Sequence, residues 1–97
     1  MAKLIKKCRF CVVKRAGHRE EFDERKAYAS CYAACISANI AKKDAEKICD
    51  KVLNAIKRHL RTHKEVGSSE LFNLLVRELR KHNPEVAYLF ETHRDIA

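Results

Sequence analysis

The sequence predicts a mainly α, α+β fold in which a small β-structured cap packs on a four-helix bundle. Two observations carry this prediction. The segment before Asp23 is rich in β-branched and aromatic residues and contains a glycine turn. After Asp23, apolar residues recur at spacings of three and four, which is the period of an amphipathic helix. A chain of 97 residues has the length of one domain, so we expect residues 1–97 to form a single domain.

The cap is predicted as a β-hairpin. Residues 9–15 (RFCVVKR) form its first strand, Ala16 and Gly17 the turn, and the return strand ends near Phe22. Ala16 is an imperfect turn residue, because a tight hairpin turn favours Asn or Asp there. Residues 65–66 can add a third short strand. A hairpin alone is not stable in water, so we expect it to lie on the helices and to leave a cleft between them.

Four helices are predicted, over residues 23–40, 42–61, 68–81 and 84–95. Asp23 is the expected N-cap of the first helix, and Ser68 or Ser69 that of the third. Asn83 and Pro84 start the fourth helix, since a capping Asn followed by Pro is a strong start signal.

Each helix carries an expected apolar face. On the first helix the face is Tyr28, Cys31, Tyr32, Cys35 and Ile36, and on the second it is Ala45, Ile48, Cys49, Val52, Ile56 and Leu60. On the third helix it is Leu71, Leu75 and Leu79, and on the fourth it is Val86, Leu89 and Phe90. The second helix carries Lys47, Lys51, Lys57 and Arg58 on its opposite face.

The composition describes a basic globular protein. Hydrophobic residues make up 46% and the formal net charge is +8, which excludes the disordered class and favours an anionic partner. No stretch is long enough to cross a membrane, so we expect a cytoplasmic protein without a membrane partner. The five cysteines are an odd number without a signal peptide, so we expect reduced thiols.

The hairpin and the following helix concentrate the residues that suit a nucleotide. If the hairpin folds over that helix, Lys14 and Lys26 converge, and with Arg15 they suit a polyphosphate. Glu20 can accept a hydrogen bond from a ribose hydroxyl. On spacing alone, a basic hairpin with a solvated surface is the more usual explanation of these charges. Walker and dinucleotide-binding motifs are both absent from the sequence.

The string VVKRAGHREEFDERK, residues 12–26, resembles the opening of the ATP-cone domain, V-x-K-R-[DN]-G-x-x-E-x-[FI]-[DN]-x-x-K. VGSSELFNLLVREL and NPEVAYLF are similar to that family's third and last helices. The resemblance covers about residues 8–96. It implies a β-cap over a four-helix bundle, with ATP or dATP, accompanied by Mg²⁺, bound beneath the cap.

The resemblance also implies roles for individual residues. Lys14, Arg15 and Lys26 would hold phosphates, Glu20 would touch the ribose, Val12 and Phe22 the base region, and Ser68 the nucleotide near the third helix. Ala16 departs from the family pattern in the turn. Phe72 stands where some reductase cones place a His near the sugar, which leaves the preference between ATP and dATP open.

The function implied by the resemblance is regulatory, and we expect no enzymatic activity. Such domains regulate ribonucleotide reductases, often by changing their oligomeric state, and occur in a repressor of reductase genes. No reductase barrel accompanies this sequence, so we expect a stand-alone module that acts in trans on such a partner or as a homo-oligomer. The alternative is a basic nucleic-acid-binding regulator, which the cations of the second helix favour.

A zinc site is the rival interpretation of the cysteines. Cys8, Cys11, Cys31 and Cys35 could supply four thiolates. However, Cys8 and Cys11 are three apart at the start of a strand and face opposite ways, and Cys31 and Cys35 lie on an apolar helix face. We therefore predict no metal site. His59 and His63, at i and i+4 near a helix end, are expected to be solvated or to cap the helix.

Overall fold

The computed structural model describes residues 10–14, 17–63 and 65–92. Along the chain the elements are β1 (Cys11–Val13), β2 (Arg19–Glu21), α1 (Glu24–Ser37), α2 (Lys42–Thr62), β3 (Glu65–Gly67), α3 (Ser68–His82) and α4 (Pro84–Thr92). Four helices and a small sheet confirm the predicted fold class. The described helices include none that is both long and apolar enough to span a membrane.

The three strands form one sheet in the order β2-β1-β3. β1 pairs antiparallel with β2 and parallel with β3, so Val12 lies between Glu20 and Val66. The Lys14 amide donates to the carbonyl of His18 at 2.9 Å and extends the hairpin ladder beyond β1. Gly17 closes the turn with a φ of 92°, a conformation that glycine adopts at little cost.

The sheet has one face toward the helices, and its other face carries the exposed Arg19, Glu21 and Glu65. Val12, Phe22 and Val66 are buried against the helices. Because successive side chains of a strand alternate between faces, Lys14 and Glu20 lie on the same inner face as Val12.

An ion pair connects β2 and β3 across the outer face of the sheet. Arg19 on β2 donates to the carboxylate of Glu65 on β3. The register places these residues opposite Val13 and Cys11 respectively, so the ion pair spans the central strand β1.

Two of the predicted helix caps are confirmed. The Asp23 carboxylate accepts a hydrogen bond from the Lys26 amide at 3.1 Å. The side-chain oxygen of Asn83 accepts from the amides of Glu85 and Val86 at 2.9 and 3.2 Å. Both caps satisfy amides that have no partner within the helix.

The prediction that Ser68 or Ser69 caps α3 is wrong. Gly67 is the N-cap, and no side chain caps this end of the helix. The reason is that Gly67 is the last residue of β3 and pairs with Val13. The chain thus passes directly from strand to helix, and Ser68 is already helical, whereas a capping residue needs a non-helical backbone.

The first helix ends three residues earlier than predicted, at Ser37. Asn39 has a φ of 64° and its amide donates to the carbonyl of Ile36, while the Ile40 amide donates to that of Cys35. This pair of reversed hydrogen bonds, with a left-handed residue between, is a Schellman motif. Asn tolerates the left-handed conformation better than most residues, so it ends the helix here.

The core is formed by the inward faces of all four helices together with the inner face of the sheet. Its largest fully buried side chains are Ile56, Leu60, Leu79, Val52, Val66, Val86, Cys31, Cys35 and Cys49. α3 packs on α4, and α1 packs on α2 and α4. The predicted extension of α4 to residue 95 lies outside the described residues.

Two side chains lie differently from their predicted positions. Ile36 was expected in the core but is 41% exposed, because the helix ends one residue later and the chain turns away. Lys57 was expected among the exposed cations of α2. Its Nζ instead lies 2.8 Å from Oε2 of Glu24, since it stands at the edge of the α2 surface that packs on α1.

Candidate functional site

The inner face of the hairpin and helices α1, α3 and α4 enclose a cleft of about 350 Å³. The residues that line it are Val12, Lys14, Glu20, Glu21, Phe22, Asp23, Lys26, Ala27, Ser30, Ser68, Leu71, Phe72, Leu75 and Phe90. Apolar and polar residues both contribute. The cleft can therefore accept a ligand that has an apolar part and a charged part.

The cations of the cleft differ in their surroundings. Nζ of Lys14 lies 3.7 Å from Oε1 of Glu20, and the other carboxylate oxygen, Oε2, lies 3.0 Å from Nε2 of His18. Glu20 thus bridges two basic side chains of the hairpin. Lys26 is exposed and forms no ion pair with a carboxylate of the described residues.

The electrostatics of Glu20 follow from these contacts. The hydrogen bond from His18 lowers the pKa of the Glu20 carboxyl, and the attraction of Lys14 lowers that pKa further. Glu20 therefore keeps its negative charge at neutral pH. In the free cleft, the carboxylate offsets part of the positive charge that Lys14 would offer to an anion.

The N-terminal end of α3 opens into the cleft at Ser68. Because no side chain caps this helix, its first amides remain available as donors to a ligand. The N-terminus of a helix carries a partial positive charge that favours phosphate groups. The N-terminus of α1 is different, since the Asp23 carboxylate already accepts from its first turn. The two helix ends are thus unequal as anion sites.

The apolar part of the cleft is built from aromatic and aliphatic side chains. Phe72 of α3 stacks on Phe90 of α4 with ring centroids 5.3 Å apart. Leu75 and Phe22 are buried beside the same space. A planar aromatic ligand group suits this wall, because aromatic rings pack favourably on one another in stacked arrangements.

Six residues predicted for the site lie around this one cleft: Val12, Lys14, Glu20, Phe22, Lys26 and Ser68. Arg15, the seventh, lies outside the described residues, as does Ala16 of the predicted turn. Their contribution to binding stays a prediction.

The sequence reasoning missed several lining residues. Ser30 stands four residues after Lys26, so the helical period places both on one face of α1 and could have revealed it. Leu75 and Phe90 were predicted only as core, because both are apolar and share a helical face with buried residues. Nothing in the local sequence indicates that they also border a cleft.

The described cysteines differ in their state. Cys31, Cys35 and Cys49 are free and fully buried between α1 and α2, and burial raises the pKa of the Cys31 thiol to about 12. Cys11 is disulfide-bonded, so the expectation of reduced thiols is wrong for this residue. Cys8 lies outside the described residues.

Metal ligation has no support in the described ranges. They contain no group of three or more His, Cys, Asp or Glu side chains arranged to hold a metal ion. His59 and His63 stack at the C-terminal end of α2 with ring centroids 4.3 Å apart. Nδ1 of His63 lies 3.2 Å from the carbonyl oxygen of His59. A His side chain near the C-terminal end of a helix can hydrogen-bond to the last carbonyl groups in this way. That the chain binds no metal stays a prediction.

Comparison with known proteins agrees with this architecture. A search of curated proteins found none that matches the chain. The family model of the ATP cone domain matches residues 10–93. The match includes both the hairpin and all four helices, and with them each described wall of the cleft. Such a domain is a nucleotide-binding regulatory module, and the chain belongs to the ATP-cone domain family.

Proposed function

We propose that the chain binds ATP or dATP in the cleft beneath the hairpin and passes the nucleotide signal to another protein. The observation that carries this proposal is the convergence of Lys14, Lys26 and the uncapped start of α3 at Ser68 on one cleft with an aromatic wall. Cationic groups and free helix amides suit phosphates, and the wall suits a base.

Each residue has a role in this proposal. Lys14 and Lys26, with Arg15, hold the phosphates through charge-assisted hydrogen bonds, and Ser68 adds its hydroxyl at the start of α3. The Mg²⁺ ion that accompanies a triphosphate in solution would enter with the nucleotide.

The adenosine part is assigned to the remaining residues of the site. Val12 and Phe22 flank the base, and Glu20 accepts a hydrogen bond from the ribose. Both carboxylate oxygens of Glu20 already have basic neighbours, so a ribose contact would compete with Lys14 or His18. Phosphates that draw Lys14 away would free the carboxylate for the sugar.

The module acts without catalysis in this proposal. Its target is a ribonucleotide reductase or a transcription regulator in the cytoplasm, and nucleotide binding can also change its own oligomeric state. The support comes from the family to which the chain belongs, whose domain is a regulatory one.

Isothermal titration of the purified chain with ATP, dATP and adenosine, at one salt concentration with Mg²⁺, tests the proposal. We expect both triphosphates to bind more tightly than adenosine, and no steady release of phosphate. Absence of binding at millimolar ATP would contradict the proposed function. Sedimentation with and without nucleotide measures any change in oligomeric state.

A further inference from the structure

The solvent-facing side of α2 is strongly basic. α1 and α3 pack against the buried side of α2, and the other side faces solvent. At 3.6 residues per turn, six exposed positions fall within a sector of about 80°. They are Lys43, Lys47, Lys51, Asn54, Arg58 and Arg61, and we call this set the α2 stripe. It contains five cations and no acid.

The cations of the α2 stripe form no ion pair among the described residues, unlike five other cations of the protein. Lys14, Arg19, Lys57, Arg80 and Lys81 each lie within 4.0 Å of a carboxylate oxygen. No such ion pair joins any of the five stripe cations to a carboxylate among residues 10–14, 17–63 and 65–92. The acids of α2, Asp44, Glu46 and Asp50, lie outside the sector. Asp44 and Asp50 flank the sector, but the stripe presents positive charge that no ion pair among the described residues engages.

The geometry of the α2 stripe suits an extended polyanion. Residues 43 and 61 are separated by about 27 Å along the helix axis, at 1.5 Å per residue. Successive cations at i and i+4 are then about 6 Å apart along the axis. One strand of a duplex carries a phosphate every 3.4 Å or so along its axis. Several phosphates can therefore meet the stripe at once, and the guanidinium groups of Arg58 and Arg61 can each bind a phosphate through two hydrogen bonds.

We propose that the α2 stripe binds the phosphate backbone of a duplex nucleic acid. An acidic protein partner fits less well, because protein interfaces have apolar and aromatic centres depleted in charge, and the stripe contains no apolar residue. A single strand also fits less well, because its binding relies on aromatic side chains that stack on bases. Contacts to phosphates alone carry no sequence information, so binding is independent of sequence.

This surface is separate from the nucleotide cleft, since none of its six residues lines that cleft. A negative result for ATP binding would therefore not contradict duplex binding, and the reverse also holds. Both can be measured on the same preparation.

The test is fluorescence anisotropy of a labelled DNA duplex of about 20 base pairs, titrated with the full chain over a range of salt concentrations. The triple variant Lys47→Ala/Lys51→Ala/Arg58→Ala is compared with Arg77→Ala/Arg80→Ala/Lys81→Ala on α3, which removes the same charge. Each phosphate contact contributes about 0.9 to the slope of log K against log salt. We expect the stripe variant to lower that slope by about 2.7 and the α3 variant by less than one.

A second variant, Asn54→Glu, retains all five cations and places one acid among them, and we expect it to weaken binding too. Circular dichroism and ATP titration check that each variant keeps its fold and its cleft. Equal losses in the two triple variants would overturn the proposal, since net charge alone would then explain binding. So would undetectable duplex binding at low salt, tighter binding of a single strand of the same length, or equally tight binding of polyglutamate.

Discussion

Nζ of Lys14 lies 3.7 Å from Oε1 of Glu20 on the inner face of the hairpin. The phosphate-binding cation proposed just after β1 thus has a carboxylate partner before any ligand arrives. An entering phosphate must compete with that carboxylate, whereas Lys26 makes no ion pair with the described carboxylates. The two lysines should therefore contribute unequally to nucleotide affinity.

Replacing either lysine of the cleft should weaken ATP binding. Lys14→Ala and Lys26→Ala each remove a charge-assisted phosphate contact worth about 1.5–3 kcal/mol, which corresponds to a roughly ten- to hundred-fold loss of affinity. We expect the larger loss for Lys26→Ala, because Lys14 gives up an ion pair when it binds phosphate. Isothermal titration with ATP measures both losses, and adenosine affinity should change little.

Lys51→Ala is the matched control, because Lys51 is exposed on α2 and does not line the cleft. Lys57→Ala is less suitable, since Lys57 pairs with Glu24 in the first turn of α1. Equal effects of Lys51→Ala and Lys26→Ala on ATP affinity would argue for a diffuse charge effect and against this site.

The contribution of Glu20 to stability should depend on pH. Its pKa is lowered in the folded protein, first by the hydrogen bond from His18 and then by Lys14. A carboxyl with a lowered folded-state pKa stabilises the fold above its unfolded-state pKa, and this stabilisation is lost as the pH falls through the folded-state value. Glu20→Gln should therefore lower the melting temperature slightly near pH 7, and the difference from wild type should be smaller near pH 3.

Thermal unfolding by circular dichroism at the two pH values measures this difference. The difference in melting temperature should be small, because Glu20 and its partners His18 and Lys14 are exposed to solvent. Glu46→Gln on the exposed surface of α2 is the control and should show no comparable pH-dependent gap. A difference in melting temperature between Glu20→Gln and wild type that grows as the pH falls would contradict this prediction.

Truncating a buried side chain of α2 should destabilise the protein far more than truncating an exposed one of α1. Ile56 is 1% exposed and Ile36 is 41% exposed. Ile56→Ala leaves a cavity in the core and should cost about 2–5 kcal/mol of unfolding free energy, while Ile36→Ala should cost about 0.5 kcal/mol or less. Urea denaturation of both variants gives the comparison, and similar losses would mean that Ile36 is buried in solution.

The two described glycines should respond differently to alanine. Gly17 has a φ of 92°, and an added Cβ would meet no atom within 4 Å at either glycine. Gly17→Ala should therefore lose about 1–2 kcal/mol through backbone strain alone. Gly67, with a φ of −69°, should gain up to about 1 kcal/mol, because alanine restricts the unfolded chain. Equal urea midpoints for the two variants would contradict the turn conformation at Gly17.

Local chemistry made much of this fold predictable. Asp23 and Asn83 cap helices through their own side chains, so short sequence signals were sufficient to place the starts of α1 and α4. The prediction that the hairpin folds over the next helix also brought Lys14 and Lys26 to one place, and both line the cleft. The start of α3 was predicted at the correct residue, although its cap was assigned wrongly, because the pairing of Gly67 with Val13 joins residues that are distant in sequence.

The remaining features depend on tertiary contacts. The end of α1 requires Asn39 to adopt the left-handed conformation, which Asn permits but does not impose. The Lys57–Glu24 pair forms only because α1 packs on α2 in one particular register. Similarly, Phe90 borders the cleft because α4 is placed beside α3, where its ring stacks on Phe72.

The parallel pairing of β1 with β3 also has a kinetic consequence. Cys11 stands opposite Glu65, so α1 and α2 both lie in the loop that this pairing closes. The entropy lost on closing so long a loop is recovered only once the intervening helices have made it compact. The β1–β3 pairing should thus form after the α1–α2 pair and open before it, so the amide hydrogens of β3 should exchange sooner than those of these two helices.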